Sequence, residues 1–146
     1  ICQYLCEVFD KDDKLGRSIG HTEHAEWLQW LHYAETVAVH GASLVQQNII
    51  IAEELRSPVV IKLESRRLEK AIEVLNNHLN GREYLLSSGF SAVDTAVGYS
   101  IHMGSMFIKI AEYKNVVSYY EKIKKREAFL KSLPKEINDP LEKIEV

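Results

Sequence analysis

The sequence predicts an all-α protein, a helical bundle of five to six helices around a buried central helix. Apolar residues recur at intervals of three and four along most of the chain. No segment alternates apolar and polar residues between turn dipeptides for long enough to make a strand. One stretch, GFSAVDTAVGYSIHM at 89–103, is almost wholly apolar or small and belongs in the interior. The 146 residues are 46% hydrophobic and 27% charged with three prolines, enough apolar material for one compact domain. A formal charge of −3 offers no electrostatic reason for nucleic acid or an anionic membrane as partner. No secretory signal and no run of about 20 apolar residues is present, so a cytoplasmic protein is expected.

The opening ICQYLCEVF reads as helix, with Ile1, Leu5 and Val8 on one stripe and Tyr4 and Phe9 beside it. No start signal precedes it, so the chain reads as cut inside a helix. Cys2 and Cys6 share a face but form neither a redox nor a zinc spacing, and reduced structural thiols are expected. Residues 10–20, DKDDKLGRSIG, have the composition of an exposed linker. A long helix follows with Thr22 as N-cap and Glu23 and Glu26 in its first turn, where carboxylates suit the helix dipole. Gly41 predicts a kink near His40 and Gly41. Ser57-Pro58 ends that pattern.

A clear amphipathic helix runs from there to Leu79, with Ile61, Leu68, Ile72, Leu75 and Leu79 on one face and Asn80-Gly81 as its left-handed stop. Ser91 and Asp94 then have capping-box spacing: the acid starts the central helix by reaching back to the Ser91 N–H. From Ala92 to Ile108 that helix carries Val93, Val97, Tyr99, Ile101, Met103, Met106 and Phe107 around its circumference, and a buried start needs side-chain partners for its free N–H groups. Gly98 and Gly104 are expected to let neighbouring helices approach. Two shorter helices, NVVSYYEKIKKRE and EAFLKSL, follow; Pro134 ends the second, and 135–146 form a tail.

Chemical candidates are few. Histidines three apart in HTEH at 21–24 lack metal-ligand spacing, so no metal is expected. His102 reads as a hydrogen-bonded core histidine. The run EKIKKRE at 121–127 is flanked by acids and reads as a solvated face. The stripe Trp30, Tyr33, Val37 and His40 has two readings, interhelical core or the wall of an apolar pocket with Tyr33 or His40 orienting a substrate.

NGREYLLSSGFSAVDTAVGYSIHM resembles the sixth helix and lead-in of the soluble glutathione transferases, whose buried S/T-x-x-D cap opens the central helix of an all-helical C-terminal domain. EWLQWLHYAE is similar to the start of the fourth helix in bacterial and fungal members, and YYEKIKKREAFLKSLP to the seventh and eighth helices. ICQYLCEVF is similar to the last helix of the family's thioredoxin-like domain. The resemblance implies a division into 1–9, the end of that domain; 10–20, a linker; 21–134, the helical domain; and 135–146, the tail. It also implies that the catalytic Tyr, Ser or Cys, the cis-proline and the Glu-Ser pair that holds glutathione precede Ile1, so this chain carries no catalytic residue. Trp30, Tyr33, Val37 and His40 would then wall the second-substrate pocket. The implied co-substrate is glutathione rather than a bound cofactor, the second substrate is a small hydrophobic electrophile or peroxide, and the whole protein is a homodimer. Where members often continue the fourth helix with E-G-S-L-M-P, this chain has ETVAVHG. A second implied role is a non-catalytic assembly module of a translation-factor or aminoacyl-tRNA synthetase complex.

Overall fold

A computed structural model describes residues 1–133. Its described residues form six α-helices and no strand: α1 (Cys2–Phe9), α2 (His24–Val45), α3 (Pro58–His78), α4 (Ala92–Gly104), α5 (Lys114–Ile123) and α6 (Glu127–Ser132). The tail at 135–146 and the stop at Pro134 lie outside the described residues. α2 packs most extensively against α4 and next against α3, while α5 touches both α3 and α4. Val93, Val97 and Ile101 of α4, Leu68, Ile72 and Leu75 of α3, and Val37 and Leu44 of α2 meet in one core. Burying such side chains stabilises by roughly 1.5–3 kcal/mol each, so the α2–α3–α4 contact dominates the fold.

α4 is less enclosed than its composition predicts. It ends at Gly104, so Met106 and Phe107 fall in the following turn. Thr95 and Tyr99 are exposed on one stripe. Gly98 has the packing role expected of it: a Cβ there would stand 2.7 Å from the Ile123 Cγ2 of α5. At Gly104 the nearest atom to a Cβ would be a Leu68 methyl at 3.4 Å, an ordinary contact.

The start of α2 differs from expectation. The N-cap is Glu23 rather than Thr22, with no side-chain capping bond within the turn. Its carboxylate instead accepts from the Ser88 N–H at 3.1 Å, joining the helix start to the loop before α4. The predicted kink at Gly41 is absent as a break in helix hydrogen bonding, which continues to Val45. The irregularity falls at Gln46–Ile50, a turn of π-helix. Gly41 is helical and buried, with no atom within 4 Å of where a Cβ would stand. At the far end of this connection Ser57 caps α3, its hydroxyl accepting from the Val60 N–H, with Pro58 at the first helical position.

The segment 10–20 is built more firmly than its composition implies, since Gly16 and Arg17 are buried. Asp10 accepts from the N–H groups of Lys14, Leu15 and Gly16 at 3.0, 2.6 and 2.6 Å. Burial alone would raise the Asp10 pKa, but these three donors outweigh it and hold the carboxyl below its usual range. The Leu15 carbonyl accepts from the Trp27 indole at 3.0 Å and from the Ala92 N–H at 2.9 Å. One linker carbonyl thereby ties the starts of α2 and α4 together. In α1, Cys2 and Cys6 are free thiols packed against the core, whereas Tyr4, Leu5 and Phe9, with Ile1 just before the helix, are exposed.

Candidate functional site

Trp30, Tyr33, Val37 and His40 come together along the face that α2 turns toward α3. Trp30 and Val37 are buried. The Tyr33 hydroxyl donates to the Ala71 carbonyl of α3 at 3.1 Å, and the His40 Nδ1 lies 2.8 Å from the Glu64 Oε2. Arg67, one turn on, pairs with the other Glu64 oxygen. The hydrogen bond from His40 and, against the opposing effect of burial, the bond and charge of Arg67 hold the Glu64 carboxyl below its usual range. The Trp30 ring packs on His78 at 4.2 Å between centroids and edge-on to Tyr33 at 5.3 Å. The Tyr33 hydroxyl and one nitrogen of His40 are engaged in joining α2 to α3, whereas the buried Trp30 indole Nε1 has no hydrogen-bond partner among the described residues.

The cap of α4 is a wider device than a capping box. Both arms of the box are present. The Asp94 arm is the firmer, because the Ser91 N–H donates to Asp94 Oδ2 at 2.8 Å. The hydroxyl arm is looser, since the Asp94 N–H also has the Ser91 carbonyl at 3.1 Å. Asp94 Oδ1 accepts from the Leu85 N–H and from the Tyr119 hydroxyl, each at 3.0 Å. Asp94 and Ser91 are both 0% exposed. Burial pushes the Asp94 carboxyl above its usual range, opposed by the donors from Leu85, Ser91 and Tyr119. Burial and the adjacent Asp94 push Tyr119 well up, so it remains a hydroxyl donor.

Two cavities lie elsewhere, and neither includes the α2 stripe. One of about 430 Å³ sits between α1, the linker and the start of α2, lined by Cys6, Asp10, Asp13, Arg17, His24 and Trp27 among others. Several of its polar groups are paired: Arg17 with Ser88, Asp13 with Ser18, and His24 Nδ1 with the Arg17 carbonyl at 2.6 Å. No group of three or more His, Cys, Asp or Glu among the described residues could hold a metal ion. The other cavity, about 440 Å³, opens between α4 and the α5–α6 corner and is walled by Leu15, Phe90, Tyr99, Ile123, Arg126 and Phe129. Beside it, His102 Nδ1 lies 2.6 Å from the Tyr120 hydroxyl, the hydrogen-bonded arrangement expected for this histidine.

Sequence reasoning passed over this second cavity. Arg126 sits in a mixed-charge run that reads as solvated, and Phe90 reads as the residue before a helix cap. Only the fold brings the guanidinium to 3.6 Å from the Phe90 ring centroid.

No protein-family model matches the sequence, and no curated protein matches it significantly. Solved structures do. The glutathione transferase URE2P8 from Phanerochaete chrysosporium, with oxidized glutathione, superposes with a TM-score of 0.78 at 18% identity over 88% of this chain and 60% of its own. A glutathione transferase homolog from Lodderomyces elongisporus, with two GSH per subunit, gives 0.77 at 18% identity over 89% of this chain and 62% of its own. A class Gtt2 glutathione S-transferase of Vibrio parahaemolyticus gives 0.66 at 23% identity over 88% and 60%. The fold is that of the helical domain of glutathione transferases. This transferase-like chain spans about 60% of the length of the first structures it matches. None of its described helices is long and apolar enough to cross a membrane.

Proposed function

We propose that this chain is the helical portion of a cytoplasmic, homodimeric glutathione transferase, in which a thioredoxin-like half supplies the glutathione site. The observation that carries the proposal is the fold agreement with glutathione-bearing transferases over nearly nine-tenths of this chain. In that mechanism glutathione reacts as its thiolate with an electrophilic carbon or a peroxide, and lowering the thiol pKa is the task of the other half. The helical domain contributes an apolar wall for the second substrate and part of the dimer contact. The exposed apolar face of α1, carrying Ile1, Tyr4, Leu5 and Phe9, supports a further domain lying against it, because a contiguous patch of this kind is costly in water.

One observation favours a second role, a non-catalytic assembly module. The Tyr33 hydroxyl and His40 Nδ1 hold α3, so these two polar groups of the stripe serve cohesion rather than a ligand. The test begins with the intact mass and N-terminal sequence of the product of the whole parent gene, followed by calorimetric titration with glutathione. The proposal expects a thioredoxin-like half and glutathione binding by the longer product, with none by residues 1–146 alone. A longer product whose thioredoxin-like half leaves glutathione unbound supports the module. A longer product with no such half overturns the transferase proposal.

A further inference from the structure

We infer that Asn80 is a site of spontaneous covalent ageing, where attack by the Gly81 backbone nitrogen expels the side-chain amide as ammonia and leaves aspartate and isoaspartate in its place. Asn80 and Gly81 form the turn that ends α3, closed by the Arg82 N–H donating to the Leu79 carbonyl at 3.1 Å. Both are exposed. Gly81 has a φ of +73°, a conformation open to glycine, and no atom stands within 4 Å of where a Cβ would be. Among the described residues the Gly81 N–H has no acceptor and the Asn80 amide has no hydrogen-bond partner. The attacking nitrogen therefore stands in water, with no side chain of its own to hinder its approach. The other asparagines among the described residues lack this setting. Asn48 donates to the Leu44 carbonyl at 2.8 Å and precedes the β-branched Ile49. Asn76 and Asn77 lie within α3, whose hydrogen bonds hold the N–H groups that follow them. Asn115 donates to the Asn76 carbonyl at 2.8 Å and precedes Val116 inside α5.

The reaction needs only water and hydroxide. The Gly81 nitrogen gives its proton to hydroxide as it bonds to the Asn80 Cγ, the Cγ–Nδ2 bond breaks, and the departing nitrogen takes a proton from water and leaves as ammonia. The product is a five-membered succinimide. Water then opens that ring on one of two sides. Cleavage between the Gly81 nitrogen and Cγ gives aspartate, whereas cleavage between that nitrogen and the Asn80 main-chain carbonyl carbon gives isoaspartate, in which the chain runs through Cγ. Either product sets a carboxylate just beyond the C-terminal end of α3, where the helix dipole disfavours negative charge. Isoaspartate also adds one methylene to the backbone ahead of the buried Leu85 and Leu86, and the Leu85 N–H is one of the donors to Asp94. Change at Asn80 thus acts on the joint between α3 and the cap of α4.

The test holds residues 1–146 in warm, mildly alkaline buffer, beside one sample in mildly acid buffer and one unfolded in urea. Tryptic peptide 71–82 is sequenced by mass spectrometry over several days, and isoaspartate is counted by methyl transfer from labelled S-adenosylmethionine with an isoaspartyl methyltransferase. The folded protein is expected to show amide-to-acid exchange at Asn80 at least about tenfold faster than at Asn48, Asn76, Asn77 or Asn115, where a branched neighbour or a helical N–H obstructs attack. The rate is expected to rise with pH, since the attacking nitrogen must lose its proton, and the product is expected to accept methyl groups. Asn80→Gln, at an exposed position, is expected to keep the thermal midpoint and to abolish methyl acceptance, because glutamine would have to close a larger ring. A folded protein that keeps Asn80 as the amide, whether or not the urea-unfolded chain converts it, overturns the inference. Conversion at another described asparagine at an equal rate, or methyl acceptance by Asn80→Gln equal to the parent's, would overturn it too.

Discussion

At Asp94 one carboxylate holds three separate parts of the chain. Its oxygens accept from Ser91 at the helix start, from Leu85 in the preceding loop and from Tyr119 of α5. Asp94→Ala leaves those three donors without an acceptor in a buried place, where each lost partner costs about 1–3 kcal/mol. A loss of about 3 kcal/mol or more is therefore expected in urea unfolding, and a midpoint equal to the parent's would refute the role. Asp94→Asn retains one accepting oxygen and is expected to fall between the two. The burial that pushes the Asp94 pKa up also gives its charge a sign in stability. The folded state keeps this proton more tightly than the unfolded chain, so the group's contribution declines as pH rises above about 3.9 toward the folded pKa.

Helix contacts test differently. Gly98→Ala places a Cβ against Ile123 at 2.7 Å, and overpacking of this kind costs about 1–3 kcal/mol. Gly104→Ala meets Leu68 at an ordinary distance of 3.4 Å and is expected to lie within about 0.5 kcal/mol of the parent. Equal effects at the two glycines in thermal unfolding would remove the close-approach explanation for α4 and α5. The α2–α3 seam is tested by pH. Glu64 has a lowered folded pKa, first through the His40 hydrogen bond, so its contribution is complete above the ordinary glutamate value of about 4.3 and is lost as pH falls through the folded value. Glu64→Gln removes that contribution, and its stability should decline less steeply than the parent's as pH falls below about 4.3. Identical acid limbs would show that the ion pair carries no linkage.

For the molecule as a whole, the uncovered side of α1 is the most consequential surface. Ile1, Tyr4, Leu5 and Phe9 are exposed at 99, 62, 47 and 69%. In solution such a surface favours contact with another apolar surface. Sedimentation velocity of residues 1–146 is expected to show concentration-dependent association, reduced by Leu5→Lys with Phe9→Glu. Unchanged association in that double variant would move the contact away from α1. The same pair of changes leaves the α2–α3–α4 core untouched, so the thermal midpoint should change little.

Much of this architecture was legible in residue order. The helical period of 58–79, the Ser91 and Asp94 spacing, and the lack of strand alternation each depend on neighbours within a few positions, which a sequence displays directly. What depended on residues far apart was not legible. Glu23 joins the loop before α4 through a bond to Ser88 and displaces Thr22 as cap; the Leu15 carbonyl receives donors from Trp27 and Ala92; Arg126 finds Phe90. The α2 stripe marks the division most clearly. Its spacing established that Trp30, Tyr33, Val37 and His40 share one face, but a shared face has the same pattern whether it meets a ligand or another helix. Only the approach of α3, bringing the Ala71 carbonyl and Glu64 within hydrogen-bond reach, decided what that face touches.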